Sequence, residues 1–202
     1  MLIRNRKYVR VPPNKDAIKI YIFCEGRRRE YYYFNFFRGL DSKIDIQPIP
    51  PEDFQDHSPT GLFKLAKKYL NGLPEKLRKS DEVWFVVDHE WGDKVQILNN
   101  ECRLEEWFTA ISNPCFEVWL YYHFYEEIPQ FEGIKVSKIW KTWVNDKITG
   151  GFDFKRGADK IHTAIKNSEK NYSETNGIPD LACTNVFKLG KVIFSFVGHR
   201  LQ

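Results

Sequence analysis

The chain has 202 residues, enough for one domain with a substantial core. Aromatic residues make up 16% of it and hydrophobic residues 42%, which excludes a disordered chain, and no apolar run approaches the ~20 residues that span a bilayer. Net charge is only +4 but unevenly spread: residues 1–39 carry ten Lys/Arg against three Asp/Glu, and residues 81–106 carry eight acids against two bases.

Residues 1–16 read as a basic arm with Pro12 and Pro13 as breakers. The arm lacks an apolar h-region, so it is no secretory signal and the expected location is the cytoplasm. Ile18 to Cys24 (IKIYIFC) is an apolar, β-rich run that predicts a buried strand ending at Glu25-Gly26. A helix is expected over Arg29 to Phe37, and a second strand over Ile44 to Ile49, closed by prolines. Ser58-Pro59 reads as an N-cap with Pro in first helical position, opening a helix to Leu70.

Val83 to Val87 (VWFVV) is apolar on both faces, as a central parallel strand covered by helices must be. It runs directly into Asp88-His89-Glu90. Asp93 is expected to cap a helix reaching Leu104, and Phe108 to Ile111 predicts a further strand. Asn113 then reads as a cap, with Pro114 first in a helix to about Phe124. Beyond Pro129 come a Lys-rich stretch with Trp140 and Trp143, a Gly150-Gly151 turn, a helix near Ala158 to Glu169 and a last helix over Asn185 to Phe196.

Strand and helix alternate over residues 18–124, which predicts an α/β fold: an open, mostly parallel sheet with helices on both faces. The organisation expected is the arm, a core over residues 17–128, and a small helical and basic C-terminal extension over 129–202 packing on it as one domain. Cys24, Cys102, Cys115 and Cys183 form no CxxC pair and read as free thiols.

The chemistry points to carboxylates. Glu25 follows one strand, and Asp88 and Glu90 follow another. In a parallel sheet both strand ends open on one edge, so the three acids can converge. A hard divalent cation needs few protein carboxylates beside water and phosphate oxygens, and it can orient a phosphodiester and activate water. Acids at strand ends also serve as caps and solubilising groups. Glu117 either reaches this edge as a further ligand or simply favours the helix dipole. Arg27, Arg28 and Arg29 stand beside Glu25 and match phosphate geometry, or are solvated. His89 on an extended segment points away from its acidic neighbours. His123 reads as a packed histidine. Trp140 and Trp143 with Lys135, Lys138 and Lys141 suit either base stacking or a partner interface.

Four segments together carry a resemblance. IYIFCEGRRREYYYF resembles the opening motif of the Toprim fold, with Glu30 as its second acid, and VWFVVDHE resembles the second motif, Asp-x-Asp. ISNPCFEVWLYYHF (111–124) and PDLACTNVFKLGKVI (179–193) resemble the RloB-like (AbiLii-type) family more specifically. The chain departs from the Toprim pattern in carrying Glu90 for the usual Asp, with Asp93 as a substitute, and Arg29 where Thr is usual.

The resemblance implies a Toprim-like sheet and a Mg²⁺- or Mn²⁺-dependent nuclease linked to phage defence or restriction, with a separately encoded ATPase partner. Glu25 would be the general acid/base or a metal ligand, and Glu30, Asp88 and Glu90 the Mg²⁺ ligands. Nucleic acid is the expected partner, no membrane is involved, and a homo-oligomer is left open. The alternative is a non-catalytic Toprim-like module binding an ATPase or nucleic acid. No GxxxxGK[ST] loop is present to support nucleotide-driven phosphoryl transfer.

Overall fold

In the computed structural model, residues 8–51, 56–147, 152 and 157–201 are described. The first seven residues of the arm and the Gly150-Gly151 turn lie outside them. Four parallel strands form the sheet: β1 (Ile18–Cys24), β2 (Ile44–Ile49), β3 (Glu82–Asp88) and β4 (Phe108–Ser112), in spatial order β2-β1-β3-β4. Successive connections therefore leave β1 in opposite directions across the sheet. The point between β1 and β3 is the crevice where open α/β sheets take ligands. Register there sets Cys24 against Val86.

Alternation of side chains along β1 and β3 divides the core. Ile20, Ile22, Cys24, Trp84 and Val86 face one side, packed by α1 (Arg29–Asn35), α4 (Glu117–Tyr121), α6 (Ile161–Lys170) and α7 (Val186–Leu201). Tyr21, Phe23, Val83, Phe85 and Val87 face the other, packed by α2 (Pro59–Asn71) and α3 (Asp93–Leu104). Both faces are covered, which is why these strands are continuous apolar runs rather than alternating ones. The sheet is the expected open parallel one.

Local chemistry accounts for two of the helix ends. Ser58 accepts from the Gly61 N–H at 3.3 Å, with Pro59 first in α2. Arg10 donates at 2.6 Å to the carbonyls of both Phe36 and Arg38, satisfying acceptors left at the end of α1. His123 is buried between the Trp119 carbonyl and the Tyr33 hydroxyl, each at 3.0 Å. Burial pushes its pKa down to about 3, so it is a neutral core histidine as read.

Three local readings are corrected. Asn113 does not cap a helix at Pro114: its amide donates to the Pro179 carbonyl, and its backbone pairs with Ala182 and Cys183, so the residue is tied to the C-terminal segment. The helix starts only at Glu117. Asp93 is the first residue of α3 rather than its cap; Gly92, at φ +55°, takes the cap position. The last helix runs five residues beyond Phe196 to Leu201.

Two elements were not expected. One is α5 (Ser137–Lys147), whose Trp140 is fully buried against Tyr121 and Phe131, so that ring is core and no base-stacking surface. The other is the hairpin of β5 (Glu174–Thr175) and β6 (Ile178–Pro179).

The C-terminal segment extends the sheet's hydrogen bonding. Ser112 bridges Thr184, and Asn185 accepts the buried Ile111 N–H through its side-chain oxygen at 2.5 Å. Its own N–H donates to the Ile111 carbonyl at 3.0 Å. Asn185→Ala leaves the Ile111 N–H buried without an acceptor. We expect it to cost about 1–3 kcal/mol, seen as a lower urea midpoint at unchanged slope. An unchanged midpoint would show that this junction does not support the sheet.

Candidate metal centre

The crevice at the β1/β3 switch point is built by a backbone relay. Where β1 ends, the Glu25 N–H donates to the Val86 carbonyl at 3.0 Å, and the Glu25 carboxylate turns across to accept the Asp88 N–H at 2.8 Å. Where β3 ends, the Asp88 carboxylate accepts the Phe116 N–H at 2.8 Å, at the entry to α4. Each acid is thus aimed by the backbone of the next element. Glu90 follows in a short 3-10 turn (His89–Trp91) and is exposed. One carboxylate oxygen from each of Glu25, Asp88 and Glu90 lies within 4.8 Å of the others.

Glu30 adds a fourth acid in the first turn of α1, 7% exposed. Its carboxylate folds back over Gly26 so closely that a Cβ there would displace it, so Gly26 leaves the room in which Glu30 lies. Desolvation dominates the electrostatics. It pushes Glu25 up to about 7, against the hydrogen bond from Asp88 and with help from Glu30 and Glu90. Burial, then the charges of Glu25 and Glu30, hold Asp88 well above the usual carboxylate range, and burial raises Glu30 as well. Trp91 stands beside Glu25 and draws its pKa down, although the buried indole N–H falls outside strict hydrogen-bond geometry.

Cations near these acids are few. Arg29 is taken by Glu117: the two form a close ion pair, with Glu117 only 1% exposed. Glu117 is therefore the partner of Arg29 and lies outside the convergent trio. Arg27 and Arg28 are exposed on the turn beside Glu25. The charge that sequence reasoning did not single out for this site is Lys141. It lies on the inward face of α5 with the buried Ser137, Trp140 and Val144, and its ammonium eases both Glu30 and Asp88 downward. Only the periodicity of the buried α5 face could have signalled it, and Trp-Lys mixtures hide that pattern.

Fold and site together define an open parallel α/β domain with a convergent acidic centre at its topological switch point. A family model described as RloB-like protein matches residues 20–193, and the chain belongs to that family. No curated protein and no solved structure matches it. No helix among the described residues is long and apolar enough to cross a membrane.

The raised Glu25 pKa fixes a sign. The folded chain holds the proton up to about pH 7, while the unfolded chain releases it near the ordinary carboxylate value. The folded state thus binds more protons in that window, and Glu25 makes it lose stability as pH rises from about 4.5 to 7. The full effect is on the order of 3 kcal/mol, at about 1.4 kcal/mol per tenfold change in proton affinity. His123 acts oppositely between about pH 3 and 6.5, so the measurement is the difference from Glu25→Gln in metal-free buffer. Wild type should lose urea stability relative to the variant as pH goes from 5 to 7.5. A difference that is flat or of opposite sign would contradict the burial of Glu25.

Proposed function

We propose that Glu25, Asp88 and Glu90 hold a divalent cation, Mg²⁺ or Mn²⁺, and that the protein is a Toprim-type nuclease hydrolysing phosphodiester bonds in nucleic acid. The observation that carries this is the convergence of the three carboxylates within 4.8 Å at the switch point. The donor set fits: all ligands are hard oxygens, and Asp88 has one oxygen committed to the Phe116 N–H and one left to bind. Burial of several acids with few cations beside them leaves a charge deficit that a divalent ion would correct.

Such an ion supplies Lewis acidity toward the phosphodiester and lowers the pKa of bound water. Glu25, with a proton affinity near neutrality, is suited to take and return a proton. Glu30 sets the field behind it. Arg27 and Arg28, on the exposed turn, are placed to meet the phosphate backbone.

Membership of the RloB-like family supports a setting linked to restriction or phage defence, and we extend the reading to a separately encoded ATPase partner. One observation favours a second reading, a non-catalytic module that binds nucleic acid or the ATPase. Glu90 is exposed and one methylene longer than Asp, which loosens the third ligand.

Calorimetric titration of Mn²⁺ separates the readings. Wild type should bind, and Asp88→Asn should bind roughly tenfold or more weakly. Lys141→Met should bind a few-fold more tightly, because a like charge is removed from beside the ion. A folded wild type that takes no Mn²⁺ would leave the binding module as the account. A Lys141→Met variant no tighter than wild type would remove Lys141 from the site's electrostatics.

A further inference from the structure

Beside the acidic centre lies a cleft. The turn carrying Asp88 and Glu90 presents the intervening His89 to a cleft of about 480 Å³, within the roughly 300–1,000 Å³ usual for small-ligand sites. One wall is the start of α3, with Asp93 and Gln96; the other is the β5–β6 hairpin with Ile178 and the following Asp180; Asn113 lies between them.

The hairpin wall is tied down by local hydrogen bonds. The hairpin closes on Asn176 and Gly177, at φ +55° and +78°, the pairing that a two-residue turn requires. The Asn113 amide donates to the Pro179 carbonyl, and the Asp180 N–H donates to the Ser173 carbonyl.

The chemistry of the lining is selective. No Lys or Arg lines the cleft, so it is not built for phosphate. It offers neutral hydrogen-bonding groups, one apolar wall at Ile178 and two carboxylates. Asp93 makes no hydrogen bond or ion pair among the described residues, so both its oxygens are available. Asp180 accepts from Thr175 at 2.8 Å, and hydrogen bonds from Ser173 and Thr175 hold its carboxyl below the usual range, which keeps it an acceptor.

We propose that this cleft receives one nucleobase adjoining the phosphodiester at the acidic centre, and that Asp93 makes it prefer guanine. The location relative to a scissile phosphate rests on the metal-centre reading; the base preference does not. Guanine presents N1–H and N2–H₂ side by side, a match for the two oxygens of one carboxylate. Cytosine and adenine each offer one amino group beside an acceptor, and the thymine N–H is flanked by two carbonyls that a carboxylate repels.

The test uses fluorescence anisotropy in Ca²⁺ buffer with 12-nucleotide thymidine strands carrying a single central guanine, adenine or cytosine, and with the corresponding uridine strands. Wild type should bind the guanine strand about tenfold more tightly than the others, the size of one bidentate base contact. Asp93 is not among the three converging carboxylates, so Asp93→Asn, which replaces one acceptor oxygen with a donor, should abolish the preference while leaving affinity for plain thymidine or uridine strands within about twofold. Asp180→Asn, at the opposite wall, serves as the second variant and should weaken the preference.

A preference removed by Asp93→Asn supports the cleft in whichever nucleic acid shows it. Equal affinities across the wild-type strands, no binding of any strand, or a preference untouched in both variants would overturn it. Titration of Ca²⁺ alone into wild type is read separately: failure there counts against the metal centre and leaves the base preference to decide the cleft.

Discussion

The structure depends on one relay of hydrogen bonds. Glu25 accepts the Asp88 N–H, and Asp88 accepts the Phe116 N–H. Through these two contacts the end of β1 is fixed to the end of β3, and the end of β3 to the entry of α4. Neither bond belongs to the sheet ladder. They continue the sheet's order past its last residues, into the region where backbone groups would otherwise need water. The acids that converge here are therefore also the fasteners of the crevice, so site geometry and fold geometry are one constraint.

That constraint creates an electrostatic tension. Glu25, Glu30 and Asp88 are drawn into poorly solvated positions, and burial is the largest influence on each. Arg29 is tied up by Glu117, itself almost fully buried, so the compensation the acids receive is slight: Lys141 acts on Glu30 and Asp88, and Arg29 on Glu30 alone. A chain selected for stability alone would replace such acids with apolar residues at little cost or even a gain. Acids placed so in a crevice are what the proposed cation would require.

The sequence was legible where structure is dictated locally. IKIYIFC forms a strand over its whole length because both its faces meet helices, and Ser58-Pro59 caps α2 because both residues act within one turn. The convergence of Glu25, Asp88 and Glu90 followed from topology, since parallel strands place their carboxyl ends on one edge. Long-range partners decided the failures. Asn113 has the local chemistry of a cap, but Pro179, Ala182 and Cys183, some seventy residues away, claim its polar groups. Glu117 was readable as an acid in the first turn of a helix, but its pairing with Arg29 depends on how α1 and α4 meet. Lys141 and the small hairpin gave no periodic signal, because their placement is fixed by packing on α4 and by the junction at Thr184 rather than by their own composition.

The strand order also has a temporal meaning. Glu25 and Asp88 are 63 residues apart in the chain, and Phe116 another 28. The junction that steadies β4 comes from Thr184 and Asn185. Contacts of such separation form late, after the entropy of closing long loops has been met. A nascent chain therefore carries the complete β1 motif long before it can assemble the acidic crevice. The unfavourable gathering of carboxylates waits at least until Phe116 has emerged, and the C-terminal segment then steadies β4 beside it.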